Sequence, residues 1–314
     1  MTDFYIQWHI TDKCNLRCIH CYGDRFDSSR GLDINRLKQI ADSLNATMNI
    51  WNRKLTISLT GGEPFLKPEL YEFIEYLDKI DRIQSLNIIS NGTVINENVL
   101  SLKNRVTKFD TMLISLDGMT ADTNDKIRGK NAYNTVIKNI DVLKMAGYKI
   151  ILMYTLLSSN INEADRIYEF CVKHEIDGFI IERFIPLGQS KSRKDTELVS
   201  DTEIIRVYKT IYSQCNAEFN DRDIDVYRSL KVLLTDKTGD LLSGALCVAG
   251  NDGIGLLPDG TVLPCRRFYL PVGNILTEPL HEIWKNSEVL KKIRTEKPQS
   301  GCYALNLSLT GNYL

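Results

Sequence analysis

Lys54-Leu55-Thr56-Ile57-Ser58-Leu59, followed after a short turn by Glu69-Leu70-Tyr71-Glu72-Phe73-Ile74-Glu75-Tyr76-Leu77-Asp78-Lys79-Ile80, reads as one strand-to-helix unit. The first segment is short and β-rich. The second places Leu70, Phe73, Ile74, Leu77 and Ile80 on a single helical stripe, the period expected of a helix with one buried face. The same alternation extends in both directions. Strand-like runs lie at Tyr5–Ile10, Ser85–Ser90, Thr111–Leu116, Lys149–Leu156 and Gly178–Phe184. Helical patterns lie between and after them, at Ile34–Leu44, Glu97–Leu102, Tyr133–Ala146, Asn162–His174 and Asp201–Gln214. Repeated βα units predict an α/β fold with a parallel sheet. Continuous apolar runs such as Ile150-Ile151-Leu152 predict a sheet covered on its faces. Six units fall short of the eight that close a barrel. The expectation is an open partial barrel with its working groups at the carboxyl ends of the strands.

The character changes near Gln189. Gln189–Thr196 is polar and basic and reads as a loop, most simply a solvated one. Asp223–Thr235 has helical spacing. Gly253–Leu257 and Thr261–Pro264 flank Pro258-Asp259-Gly260, a turn that makes them a hairpin. A helix is expected over Pro279–Arg294, and an irregular tail over Thr295–Leu314. This divides the chain into a core over 1–215 and an appendage over 216–314.

Composition narrows the function. Lys plus Arg (39) nearly balance Asp plus Glu (40), a formal charge of −1, so no global field attracts nucleic acid or an anionic membrane. No apolar run approaches the ~20 residues of a membrane helix, and Met1-Thr2-Asp3-Phe4 opens no secretory signal. A cytoplasmic globular protein is expected. In a reducing compartment its eight cysteines are better suited to metal than to disulfides. Cys171 and Cys215 stand apart from the others and read as structural. His9, His174 and His281 show no ligand spacing.

Cys14-x3-Cys18-x2-Cys21 follows the first strand directly. Three thiolates on one short loop suit three corners of an iron–sulfur cube, leaving one iron open to an outside ligand. Zinc, with His20 as a possible ligand, is the alternative. The segment Ile10-Thr11-Asp12-Lys13-Cys14-Asn15-Leu16-Arg17-Cys18-Ile19-His20-Cys21-Tyr22 strongly resembles the radical S-adenosylmethionine (radical SAM) enzymes. The resemblance implies a [4Fe–4S] cluster on Cys14, Cys18 and Cys21. Its open iron is chelated by S-adenosylmethionine, which is cleaved reductively to a 5′-deoxyadenosyl radical. Thr60-Gly61-Gly62-Glu63-Pro64 resembles the family's GGE motif, which implies that Gly61, Gly62 and Glu63 hold the cofactor's amino group. By the same resemblance Ser90 and Asn91 contact ribose or carboxylate, Ser115 contacts ribose, and Arg128 pairs with the methionine carboxylate. The resemblance also implies that Tyr22 lines the adenine pocket. Asn91-Gly92 and Asp117-Gly118 also read as plain turns, and Tyr22 as core filler.

Cys247, Gly260 and Cys265, with the hairpin between them, and Cys302 in Ser300-Gly301-Cys302-Tyr303 resemble a SPASM domain, the auxiliary-cluster appendage of a radical SAM subfamily. The cysteines of a second auxiliary cluster are missing, as in the reduced "twitch" form. The resemblance therefore implies one auxiliary [4Fe–4S] cluster on Cys247, Cys265 and Cys302. Asp252, water, a substrate group or Cys215 is left as the fourth ligand. The three could also be buried thiols without metal.

The resemblance thus implies a partial (β/α)6 TIM-like barrel with a small SPASM/twitch-like domain that contains a β-hairpin and a helix. It further implies maturation of a ribosomally made peptide or protein by thioether or carbon–carbon cross-linking or oxidation. The alternatives are sulfatase-maturase-like oxidation, modification of a small-molecule cofactor precursor, a non-catalytic iron–sulfur electron carrier and a zinc-stabilised binding module. Expected partners are a peptide or protein substrate and an electron donor such as flavodoxin or ferredoxin, with neither nucleic acid nor membrane. The first strand starts close to Met1, so any leader peptide is expected to be caught by a separate protein or by the core. No side chain is assigned as an acid or base, because the cofactor supplies the hydrogen-abstracting agent.

Overall fold

The computed structural model describes residues 3–219, 229–234, 241–245, 247–296 and 301–314. Six strands, β1 (Phe4–His9), β2 (Leu55–Thr60), β3 (Ile83–Ser90), β4 (Phe109–Ser115), β5 (Lys149–Leu156) and β6 (Gly178–Arg183), pair in chain order. Each is parallel to the next. The expected partial barrel is present. Five further strands extend it: β7 (Ser229–Leu233), β8 (Leu241–Ala245), β9 (Gly253–Leu256), β10 (Thr261–Leu263) and β11 (Gly273–Asn274). The sheet has eleven strands in the order β11-β10-β9-β1-β2-β3-β4-β5-β6-β7-β8. Among the described residues its edge strands, β11 and β8, do not pair with each other.

Alternation along β1 shows how the layers form. Phe4, Ile6 and Trp8 are fully buried and face the helices, while Tyr5 and Gln7 border an interior cavity. Trp8 meets Phe73 of the helix Leu70–Asp78 edge-on at 5.2 Å. Phe4 packs on Trp51 and Trp284, both at 5.3 Å, tying the first and a late helix to one strand. Only the outer sheet face is dry, contrary to the reading of strands covered on both faces. The inner face carries Thr56, Ser58, Asn87 and Thr111 around the cavity.

The helix expected over Asp223–Thr235 is not borne out where the chain is described. Ser229–Leu233 is a strand, antiparallel to β6. Leu230 and Val232 are fully buried, a period of two that the neighbouring leucines disguised as helical spacing. Residues 220–228 lie outside the described residues. Four other expectations need correcting. The first helix runs to Trp51, because Thr47 and Met48 continue its buried stripe. The segment over Pro279–Arg294 is two helices, Leu280–Asn286 and Glu288–Thr295, with Ser287 capping the second. The tail holds the helix Tyr303–Thr310, and the loop at 189–196 contains helical turns over Gly188–Arg193 and Lys194–Glu197. The helix Ala121–Arg128, capped by Thr120, had too little apolar pattern to be read.

Trp8→Ala removes the largest side chain of the outer layer. It should cost about 3–5 kcal/mol of stability, measured by denaturant unfolding at neutral pH.

Candidate active site at the strand carboxyl ends

Beyond β1 the chain runs through Ile10–Lys13 to the first cysteine. Three backbone bonds fasten this stretch to β2 and the turn after it. Ile10 N–H donates to the Thr60 carbonyl (2.9 Å), Gly62 N–H to that of Thr11 (2.8 Å) and Glu63 N–H to that of Lys13 (2.8 Å). The contact explains the paired glycines. A Cβ on Gly61 would lie 2.4 Å from the Thr11 oxygen, and one on Gly62 2.4 Å from the Lys13 oxygen. The glycines are therefore required by the cysteine loop itself, as well as bordering the cavity beside it.

That cavity, about 170 Å³, is bordered by Cys14, Cys18 and Cys21 together. Leu16 N–H donates to Cys14 Sγ (3.4 Å) and Gly23 N–H to Cys21 Sγ (3.3 Å). The Asn91 amide lies 3.9 Å from Cys14 Sγ, and an Arg128 nitrogen 4.0 Å from Cys18 Sγ. Burial pushes all three thiols up, Cys18 to about 12. A proton therefore stays on each until a metal displaces it. Donors directed at each sulfur suit thiolate ligands of an iron–sulfur cluster. Among the described residues no three such side chains are placed to hold a single metal ion.

The residues singled out in the sequence divide into two groups. Tyr22, Gly61, Gly62, Ser90, Asn91, Ser115 and Arg128 border the cavity. Glu63 does not. It is fully buried beside it, accepting from Phe65 N–H (3.2 Å), Ser90 Oγ (2.9 Å) and Asn91 N–H (2.8 Å). Burial lifts its carboxyl to about 7 in spite of those bonds. In this state Glu63 braces the end of β3.

Arg128 is held by a residue that the sequence reading passed over. Asp117, fully buried, pairs with Arg128 (2.6 Å) and with His20 Nε2 (3.2 Å), and accepts from Thr155 N–H (2.7 Å). Asp117 stood in the quoted Ser115-Leu116-Asp117-Gly118 stretch but looked like a turn residue. A second network was also missed. Arg30 grips Asp12 through two nitrogens at 2.8 and 2.9 Å. Asp12 lies 3.0 Å from His9 Nε2, and Arg266 Nε donates to His9 Nδ1 at 2.7 Å. Burial, then Arg266, holds His9 down at about 4, so its ring is neutral. Arg266 also lies 5.0 Å above the Tyr22 ring. The available signal was the pair Arg266-Arg267 directly after Cys265.

Cys247, Cys265 and Cys302 converge on one apolar cluster with Phe268, Leu290 and Tyr303. Phe268 and Tyr303 stack at 6.1 Å. Of the suggested fourth ligands, Asp252 is turned to Arg53 (2.9 Å), and Cys215 caps the helix Asp201–Gln214 against the main core. Cys171 is a buried core thiol. Arg267 pairs with Glu182 at 3.2 Å.

The profile of the radical SAM superfamily matches residues 8–171, and that of SPASM, an iron–sulfur cluster-binding domain, matches residues 247–304. The chain belongs to the radical SAM superfamily. It is 25% identical to the AdoMet-dependent heme synthase of Methanosarcina barkeri, over 98% of this chain and 93% of that protein. It is 23% identical to the mycofactocin maturase MftC of Mycobacterium tuberculosis, over 95% of this chain and 74% of that one. Streptococcus suis SuiB bound to S-adenosylmethionine shares the fold, with a TM-score of 0.74 at 16% identity, over 98% of this chain and 75% of that one. SuiB has also been solved with its precursor peptide SuiA. As a radical SAM enzyme with a SPASM domain, this chain uses S-adenosylmethionine and iron–sulfur clusters. No helix among the described residues is long and apolar enough to cross a membrane.

Gly62→Ala should drive the turn into the cysteine loop, costing about 1–3 kcal/mol. Iron analysis after anaerobic reconstitution should show the loss at the first site. His9 adds a pH signature. Its pKa is depressed in the fold, so its contribution is complete above the unfolded value of 6.5. That contribution is lost as pH falls towards about 4. The stability difference between wild type and His9→Asn should shrink by about 3 kcal/mol between pH 7 and pH 4, measured by denaturant unfolding.

Proposed function

We propose that this enzyme matures a ribosomally made peptide or protein, forming a thioether or carbon–carbon cross-link or oxidising a residue. The observation that carries the reading is a continuous interior with the first three cysteines at one side and Cys265 at the other. The cavity at Cys14, Cys18 and Cys21 and a larger one bordered by Cys265 share Gln7, Ile89, Met153, Glu182 and Arg267. A substrate in that space lies between two metal sites. The maturase MftC and the SuiB–SuiA pair support a peptide as that substrate.

In this reading Cys14, Cys18 and Cys21 hold a [4Fe–4S] cluster that, with S-adenosylmethionine bound, supplies the hydrogen-abstracting radical. Cys247, Cys265 and Cys302 hold one auxiliary [4Fe–4S] cluster within an appendage over 216–314, the core being 1–215. Arg128, set by Asp117, offers its guanidinium fork to the cofactor's carboxylate. Gly61 and Gly62 admit the cofactor against backbone, and Ser90, Asn91 and Ser115 line its polar groups. Glu63, buried directly behind the two glycines, is the carboxylate that would pair with the cofactor's ammonium. Tyr22, clamped under Arg266, forms an aromatic wall for the adenine. A cluster held by Cys247, Cys265 and Cys302 would supply a first acceptor for the electron that net oxidation releases. Flavodoxin or ferredoxin reduces the first cluster, and the reaction runs in the cytoplasm.

A second reading, modification of a small-molecule cofactor precursor, is favoured by the heme synthase, whose length this chain nearly spans. Candidate peptides encoded beside the gene separate the two, since only the first reading predicts a mass change on a peptide. Anaerobic reconstitution should load about eight irons. Cys14→Ala should abolish 5′-deoxyadenosine formation. Cys265→Ala should retain some cofactor cleavage and lose product. Normal turnover by Cys265→Ala would overturn the role given to the auxiliary cluster, and no cleavage by wild type would leave only an electron carrier.

A further inference from the structure

The larger interior cavity, about 390 Å³, carries an unequal set of charges. Three cations border it, Lys231, Arg266 and Arg267, against one acid, Glu182. Two of the cations are committed. Arg267 pairs with Glu182 at 3.2 Å. Arg266 donates to the neutral His9 ring and lies over Tyr22. Lys231 has no ion pair or side-chain hydrogen bond with any described residue.

The placement of Lys231 follows from the strand that the sequence reading took for a helix. In β7, Leu230 and Val232 are buried on the outer face, which puts Ser229 and Lys231 on the inner one, at the cavity. By register Lys231 is opposite Ile180, Ile180 opposite Met153, and Met153 opposite Ser115. Following the paired strands, Lys231 is thus level with Ser115 at the edge of the first cavity. The acid nearest to it by register, Glu182 opposite Ser229, is already paired with Arg267, and the rest of its wall is neutral: Ile180 and Met153 beside it, Thr111, Asn87 and Ser58 on the strands beyond. An ammonium brought into a partly desolvated interior without a partner is costly. The cost is offset when a ligand brings the opposite charge.

We propose that Lys231 is the counter-ion for a substrate carboxylate, and that the barrel interior selects an acidic substrate group. On a peptide that group is either an Asp or Glu side chain or the terminal carboxylate. The proposal rests on the peptide reading above and makes β7 part of the substrate site.

The test uses the full chain, reconstituted anaerobically with S-adenosylmethionine, and three probes. One is an N-acetylated, C-amidated glycine–alanine–glycine peptide. The second replaces the alanine with glutamate, and the third has a free terminal carboxylate. Binding is followed by ligand-observed NMR. At least one carboxylate probe should bind about tenfold or more tighter than the neutral one, as a charged hydrogen bond implies. Which of the two binds tighter identifies the source of the carboxylate. Lys231→Met should abolish the preference, Lys231→Arg should keep it, and circular dichroism should show both folded. Equal binding by all three probes, no binding up to about 10 mM, or a preference that survives in Lys231→Met overturns the proposal. Iron content and cofactor cleavage by wild type, read on the same samples, report on the underlying function separately.

Discussion

The backbone seam between the turn after β2 and the cysteine loop is the constraint on which the site depends. Gly62 and Glu63 donate to Thr11 and Lys13 across it. Neither Gly61 nor Gly62 leaves space for a Cβ at that contact. The seam converts two loops of adjacent strands into one rigid rim. It sets where Cys14 begins its excursion, and through Glu63 it reaches Ser90 and Asn91 at the end of β3. Three strand ends are thus locked in series before any cofactor binds. A metal site needs its ligands held in place, and here packing and backbone bonds supply that rigidity.

The C-terminal hairpin carries the same logic to the other side of β1. β9 is parallel to β1, and β10 turns back along it, so Cys265 and Arg266 are delivered to the barrel by sheet pairing. Arg266 then joins His9, at the end of β1. The helix Tyr303–Thr310 closes the arrangement from outside. Ser308 donates to the Pro186 carbonyl at 2.6 Å, and Ser190 N–H donates to that of Cys21 at 3.2 Å. Gly188 is compelled by this crossing, with φ +53° and a Cβ position 2.2 Å from the Tyr22 oxygen. The two cysteine triads are therefore mechanically connected through the segment that follows β6.

What could be read in the sequence were the features with a period or a fixed spacing. β1 to β6 and their helices announced themselves through apolar stripes, and the cysteines of both sites through their intervals. The misreadings have physical causes. In β7, Leu230 and Val232 alternate, but Leu233 and Leu234 beside them complete a helix-like spacing. Asp117 and Asp12 are buried acids whose partners, Arg128 and Arg30, lie 11 and 18 residues away in sequence. Such pairings depend on the tertiary fold, and no local pattern marks them. Glu63 shows the reverse. Its motif was legible, but that its carboxylate turns to the end of β3 and not into the cavity was not.

Charge placement inside the barrel follows one rule. Asp117 is met by Arg128 and His20, Asp12 by Arg30 and His9, and Glu182 by Arg267. Each of these acids is answered by a partner from another strand or loop, which removes most of the penalty of desolvation and fixes the partner's direction; Glu63, bonded only by neutral donors, has its carboxyl lifted by burial to about 7 instead. The dry outer face cannot hold such groups, so they gather on the inner face and at the strand ends. That separation keeps stability with Phe4, Ile6, Trp8 and their helices, and leaves the inner surface polar without weakening the core. A fold arranged this way can vary its interior substrate contacts, Lys231 among them, while the rim that orders the cysteines stays unchanged.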